Sequence, residues 1–241
     1  MVSLDSTAIV VILSLGVSAF IRSLVGFGDG VIAMGLITGW VGLQTATPLV
    51  ALIGTVISSV ILASQWQKLD LRTALPLTLA TLVGIPFGLV LLKLAPEPIA
   101  RTALGGLLIA YALYGLLGLK LPVVRDDRAT HLFGFLAGIL GGSYNMHGSV
   151  VAIHGTLKQL DAEQFRLTLQ GYFFFTSFLI LIGHAIAGLW TTQVWSLFIV
   201  SLPVVGLSIW IGDRISRRIK GDRFSKLVFA VLLGVGLLSL V

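Results

Sequence analysis

Apolar residues run along this chain in blocks long enough to cross a bilayer, with polar residues gathered between the blocks. Two blocks break the rule by carrying glycine and polar side chains inside them. Apolar stretches of spanning length cover residues 45–64, 73–95, 98–118, 164–188, 193–212 and 224–241. Each suits a helix spanning a hydrocarbon layer of about 30 Å at about 1.5 Å per residue. The stretches 7–42 and 131–157 are apolar but broken. The first break reads Arg22-Ser23-Leu24-Val25-Gly26-Phe27-Gly28-Asp29-Gly30, and the second reads Gly138-Ile139-Leu140-Gly141-Gly142-Ser143-Tyr144-Asn145-Met146-His147-Gly148. Non-helical backbone at membrane depth survives only where protein or a water-filled cavity surrounds it, so both breaks are expected in the interior. The pieces left beyond them, 31–42 and 149–157, are too short to cross and read as re-entrant.

The order is therefore broken stretch, three spans, polar connection, broken stretch, three spans. It reads as a duplication whose joint is residues 120–130, with repeats at 1–119 and 131–241. Basic residues choose between two ways of threading it. If each broken stretch enters and leaves on one side, thirteen of the 16 Lys and Arg share a side, opposed only by Lys93 and Arg101, with Arg22 inside the membrane. If each broken stretch crosses once, the split is ten to five. The positive-inside rule favours the first. Both termini are then non-cytoplasmic, the 120–130 connection is cytoplasmic, and an odd number of crossings per half turns the second repeat upside down. The expected fold is an all-α polytopic membrane protein of two inverted-topology repeats, each a glycine-broken helical hairpin plus three transmembrane helices.

Composition agrees. Hydrophobic residues make up 56% of the 241 and charged residues 11%, with a mean hydropathy of +1.03, which excludes an ordinary soluble domain. The net charge of +6 sits in short connections rather than on one soluble face, which argues against nucleic-acid binding. Val17-Ser18-Ala19 after an apolar run imitates a signal-peptide cleavage site, but no Lys or Arg precedes that run, so it is read as the first mature helix. Cysteine is absent, which removes disulfides, thiolate metal sites and cysteine nucleophiles. No His-Glu-x-x-His, Gly-x-Ser-x-Gly or Walker motif is present, so the chain is not expected to be an enzyme, and no cofactor is expected.

The breaks carry the candidate chemistry. A helix beginning inside the membrane presents unpaired N–H groups and the positive end of its dipole, and an anion satisfies both. Gly28, Gly30, Gly141 and Gly142 would let backbone approach a ligand oxygen, whereas Gly138 and the Gly84-Ile85-Pro86-Phe87-Gly88 segment suit close helix packing. Arg22 is the only basic residue expected well inside the membrane, where a charge needs a partner. Asp29, seven residues on, can supply one. Arg22 is read as attracting an anion, and Asp29 and His147 as candidates for proton coupling. Ser143, Tyr144, Asn145 and His147 offer hydrogen bonds in the second break, and Gln170 and Tyr172 in the next span can line a cavity. The competing reading is an intramembrane metal-binding protein or enzyme using Asp29, His147, His154 and His184.

The length, the duplication, the Gly26-Phe27-Gly28-Asp29-Gly30 break and the segment Gly134-Phe135-Leu136-Ala137-Gly138-Ile139-Leu140-Gly141-Gly142 resemble the TauE/SafE sulfite exporter family over nearly the whole chain. The resemblance implies a carrier of sulfite, sulfonates or related sulfur-containing or carboxylate anions in the bacterial inner membrane. The chain departs from the family pattern at Asp29 and at Ser143-Tyr144-Asn145-Met146-His147, within the expected binding region. The expectation is a secondary transporter working by alternating access, one repeat rocking against the other. Its partners are a small anion and the lipid bilayer, not nucleic acid, and the sequence leaves a homodimer open.

Overall fold

A computed structural model describes residues 6–65, 71–118, 123, 126–159, 162–216, 233 and 237. Up to residue 216 the described residues form nine helices: α1 (Ser6–Val25), α2 (Asp29–Val41), α3 (Leu43–Gln65), α4 (Leu71–Leu94), α5 (Glu97–Leu117), α6 (Asp127–Tyr144), α7 (His147–Leu157), α8 (Ala162–Ile186) and α9 (Thr192–Ser216). Among the described residues, α1, α3, α4, α5, α8 and α9 are long and apolar enough to cross a membrane. Five of these match expected spans. The sixth expected span, 224–241, lies outside the described residues except for Leu233 and Leu237, which are helical.

Most of these helices are apolar on both faces. On α1, Val11, Leu15 and Ala19 are buried in the main core, which also holds residues of α2, α3 and α9, while Ile9, Leu13 and Val17 on the other side are exposed. An apolar residue on the outside costs nothing in lipid, which is why hydropathy rather than amphipathic periodicity marks these helices. The break in each broken stretch falls where the sequence placed it, but the shorter helices begin two residues earlier than 31 and 149, at Asp29 and His147. The second stretch also starts earlier than residue 131. Asp126 caps α6 by accepting from the Arg128 N–H at 2.8 Å, so the acidic end of the polar connection continues into helix.

The second broken stretch doubles back on itself. Lys158 Nζ donates to the Asp126 carbonyl at 3.3 Å, and Thr130 Oγ1 shares a 3.1 Å hydrogen bond with His154 Nε2, so the start of α6 lies beside the end of α7. Neighbouring helices place the first stretch. Gly16 faces Val204 and Ser208, and Gly212 faces Phe20 and Ser23, so α1 and α9 run parallel and begin level with each other. The turn before α9 carries Ala187, whose carbonyl accepts from Lys93 Nζ at the end of α4 at 2.9 Å. Arg101, at the start of α5, donates to the Thr38 carbonyl near the end of α2 at 3.0 Å. The start of α1 and the end of α2 therefore share one end of the bundle. α6 runs parallel to α4, Gly134 against Leu77 and Gly142 against Ile85, so the α6–α7 hairpin opens at the other end.

The α4–α6 contact is backbone on backbone. A Cβ at Gly84 would collide with the Phe135 carbonyl, one at Gly88 with the Ile139 carbonyl, and one at Gly138 with the Thr81 carbonyl. Thr81 Oγ1 adds a hydrogen bond to the Gly134 carbonyl at 2.9 Å. Membrane helices associate through such close packing because lipid offers no hydrophobic drive. Gly138→Ala is expected to destabilise the fold by about 1–3 kcal/mol, the usual range for overpacking. A thermal unfolding scan in detergent reads this as a lowered midpoint. Gly106→Ala, where a Cβ meets nothing within 4 Å, is the neutral control.

Candidate functional site

The tips of the two hairpins meet inside the bundle. The first turns through Gly26 and Gly28, with φ of 93° and 96°, a left-handed backbone that glycine adopts without strain. α2 then starts at Asp29 with Gly28 at its N-cap and no side chain capping it. Its first intrahelical bond, Ile32 N–H to the Gly28 carbonyl at 3.1 Å, leaves the preceding N–H groups without helical partners. Asp29, in that first turn, puts a carboxylate at the positive end of the helix dipole. It also receives Arg22 Nη1 at 2.8 Å, while Arg22 Nη2 donates to Ser58 Oγ at 2.6 Å and Ser58 Oγ donates to the Gly54 carbonyl at 2.9 Å. Arg22 is 2% exposed, and its Nε has no partner. Gly54 leaves the room this pair occupies, since a Cβ there would stand 3.3 Å from Asp29 Oδ2.

The second tip turns on Asn145, in the left-handed region at φ 56°, a conformation asparagine tolerates better than most residues. Its N–H bonds the Gly141 carbonyl at 3.1 Å, and the Met146 N–H bonds the Leu140 carbonyl at 3.0 Å, which closes the end of α6. α7 begins at His147, again with no capping side chain. The imidazole is 7% exposed, and neither ring nitrogen has a partner. It lies 5.9 Å from the Tyr172 ring and 5.4 Å, edge to face, from the Phe173 ring. The Arg22 guanidinium carbon stands 4.4 Å from the centroid of that same Phe173 ring. Phe173 thus underlies both tips, and it can do so because Gly148 has no Cβ: one placed there would stand 2.7 Å from Phe173 Cζ.

The remaining sequence candidates divide. Gly30 serves tip-to-tip contact, because a Cβ there would collide with the Asn145 carbonyl. Thr47 Oγ1 on α3 reinforces that contact by donating to the Ser143 carbonyl at 3.1 Å. Ser143 Oγ bonds the Ile139 carbonyl of its own helix, Gly141 backs onto His147, and Gly142 packs against α4. Tyr144 is buried in the main core with an unpartnered hydroxyl. Gln170 keeps an unpartnered Oε1. The Tyr172 hydroxyl lies 2.9 Å from Thr81 Oγ1; since Thr81 spends its proton on the Gly134 carbonyl, Tyr172 is the donor and its hydroxyl is committed to holding helices together. Ser58, Gly54 and Phe173 were not anticipated.

Asp29 and the three histidines proposed as metal ligands are not brought together. His154 bonds Thr130 and lies against Phe133, and His184 Nε2 donates to the Gly142 carbonyl at 3.3 Å. Among the described residues, no group of three or more His, Asp or Glu side chains stands close enough to hold a metal ion.

The geometry is that of two buried helix N-termini meeting beside one guanidinium and one imidazole, within a bundle of apolar helices. The family model described as "Sulfite exporter TauE/SafE" matches residues 10–239. The chain belongs to the TauE/SafE family. It is accordingly a multi-pass membrane protein of a transporter family, not an enzyme. It is 26% identical over 230 residues to a TauE/SafE relative from Cupriavidus necator named "Probable sulfite/organosulfonate exporter TauE", the match covering 92% of this chain and 89% of that protein. No solved structure matches. Within this TauE/SafE chain, the charged and imidazole groups of the site come from the first residues of α2 and α7 and from the last turn of α1.

Proposed function

We propose that the protein is a secondary transporter that carries a small sulfur-containing anion, sulfite or an organosulfonate, across the inner membrane by alternating access. The observation that carries this is the meeting of the uncapped N-termini of α2 and α7 beside Arg22 and an unpartnered His147. Buried polar atoms without partners cost stability and persist where a ligand completes them. A pyramidal oxyanion fits the need, since it accepts from backbone N–H groups, the free Arg22 Nε–H and an imidazole N–H together. Arg22, Gly28, Asp29, Asn145, His147 and Gln170 are the residues assigned to it.

Transport is proton-coupled in this reading. Arg22 and Asp29 already cancel each other's charge, so an entering anion leaves a net negative charge in a medium that stabilises it poorly. A proton taken up on Asp29 or His147 restores neutrality. The chain is threaded as two inverted repeats with both termini outside the cytoplasm and residues 120–130 inside; the opposite openings of the two hairpins and the bias of basic residues support that threading.

The test is flux of labelled sulfite and of a small alkanesulfonate in proteoliposomes, with and without an imposed pH gradient. The expected result is saturable flux that responds to the gradient and is lost in Asn145→Ala. Flux of neither anion, with the protein folded and inserted, would sink the proposal.

A further inference from the structure

We infer that the two bodies that move against each other in this protein are not the two halves of its sequence, but two modules that have exchanged α4 and α9. This rests on the alternating-access reading and replaces the expectation that repeat rocks against repeat.

The packing groups eight of the nine helices, α5 aside, into two sets. In one module α1 packs along α9, α2 along α1, and α3 along α2 and α9. In the other, α6 packs along α4, α7 along α6, and α8 along α4. α9 belongs by sequence to the second half yet lies on α1 and α3, and α4 belongs to the first half yet lies on α6 and α8. These cross-half contacts are the most extensive among the described residues. Gly84, Gly88, Gly134, Gly138 and Gly142 bring the α4 and α6 backbones together over three turns, while on α1 and α9 the space beside Gly16 and Gly212 is filled by side chains of the facing helix, Val204 and Ser23. Helices in such contact over several turns, as α4 and α6 are, cannot slide past each other without separating.

Contact between the modules is more local, and its one close backbone approach among the described residues, Gly30 on Asn145, is a single point at the tips rather than a row along two helices. The contact includes α3 along α8, where Ala51 shares a buried cluster with Ile85 of α4 and Ile180, and the two hairpin tips, joined by the Thr47 hydroxyl, the Gly30 approach to Asn145, and Arg22 over Phe173. The candidate site lies on that seam. Arg22, Asp29 and Ser58 come from the α1–α2–α3–α9 module, and His147, Tyr172 and Phe173 from the α4–α6–α7–α8 module. A ligand held between two bodies is where binding energy can bias their relative position. The exchange also makes each module depend on the other half of the chain for its support, so neither half is a moving part alone.

The chain has no cysteine, so label pairs can be introduced directly. Spin labels at the exposed positions Leu13 on α1, Leu79 on α4, Leu136 on α6 and Leu207 on α9 distinguish the two schemes by dipolar distance in liposomes, with pH and alkanesulfonate varied. The exchanged modules predict that Leu79–Leu136 and Leu13–Leu207 each hold one distance under all conditions, while Leu13–Leu79 populates more than one. Rigid sequence halves predict the reverse, and a change in Leu79–Leu136 or an invariant Leu13–Leu79 would overturn the inference. These distances need no knowledge of the true substrate, so absence of flux would count against the transport reading while leaving the modules decided. Where flux is present, a short thiol-reactive bridge between Phe87→Cys and Phe135→Cys, whose native rings lie 5.5 Å apart on α4 and α6, is expected to leave it intact. A bridge between Ala51→Cys on α3 and Ile180→Cys on α8, which share one buried cluster across the seam, is expected to abolish it until reduced. Loss of flux with the first bridge, or its survival with the second, would contradict the exchange.

Discussion

Arg22→Ala is expected to destabilise the protein by about 3–5 kcal/mol, because it leaves the Asp29 carboxylate buried and without its counter-ion. The Asp29 side chain is only 10% exposed, and Arg22 Nη1 is its charged partner at 2.8 Å. Removing both charges is a different matter. Arg22→Leu with Asp29→Leu replaces a buried pair by apolar side chains, and such replacements are often neutral or stabilising. The double variant is therefore expected to recover most of the lost unfolding midpoint in a detergent thermal scan while remaining unable to move sulfite or sulfonate. Two results would count against this account. Arg22→Ala melting like the wild type would mean the pair does not hold the first tip, and flux in the double variant would mean Arg22 does not serve the anion.

His147→Leu is expected to separate stability from function in the opposite direction. The imidazole is buried with both nitrogens unpartnered between Tyr172 and Phe173, an arrangement that costs about 1–3 kcal/mol for an unsatisfied polar group. Leucine removes that cost and keeps much of the packing, so the unfolding midpoint should rise or stay level while anion flux is lost. Stabilisation accompanied by loss of activity is the usual mark of a residue kept for function. A destabilised variant with normal flux would show that His147 is a packing residue whose polar atoms are satisfied in solution.

Much of this arrangement is legible in the sequence. Hydropathy located the helices to within a few residues because lipid imposes a single length and polarity on every span. The pairing of Arg22 with Asp29 was legible because a lone charge in an apolar stretch must find a counter-charge, and only one lay within reach past the glycines. Other features were not. Ser58 bonds Arg22 from 36 residues away, and Phe173 sits in a Tyr172-Phe173-Phe174-Phe175 run where nothing marks one ring as the floor under both tips. A glycine that admits a ligand and one that admits a neighbouring helix look alike in sequence, so the meeting of Gly142 with the Ile85 carbonyl emerged only from the packing. The start of α7 at His147 rather than after Gly148 matters most, since it brings the imidazole into the helix's first turn, as Asp29 stands in that of α2.

The most direct measurement is a density map of the purified protein soaked with a heavy-atom-substituted alkanesulfonate. The account predicts one strong peak above the Phe173 ring, between Arg22 Nε and His147 and close to the first N–H groups of α7. A peak elsewhere in the bundle, with that space still filled by protein side chains, would contradict it.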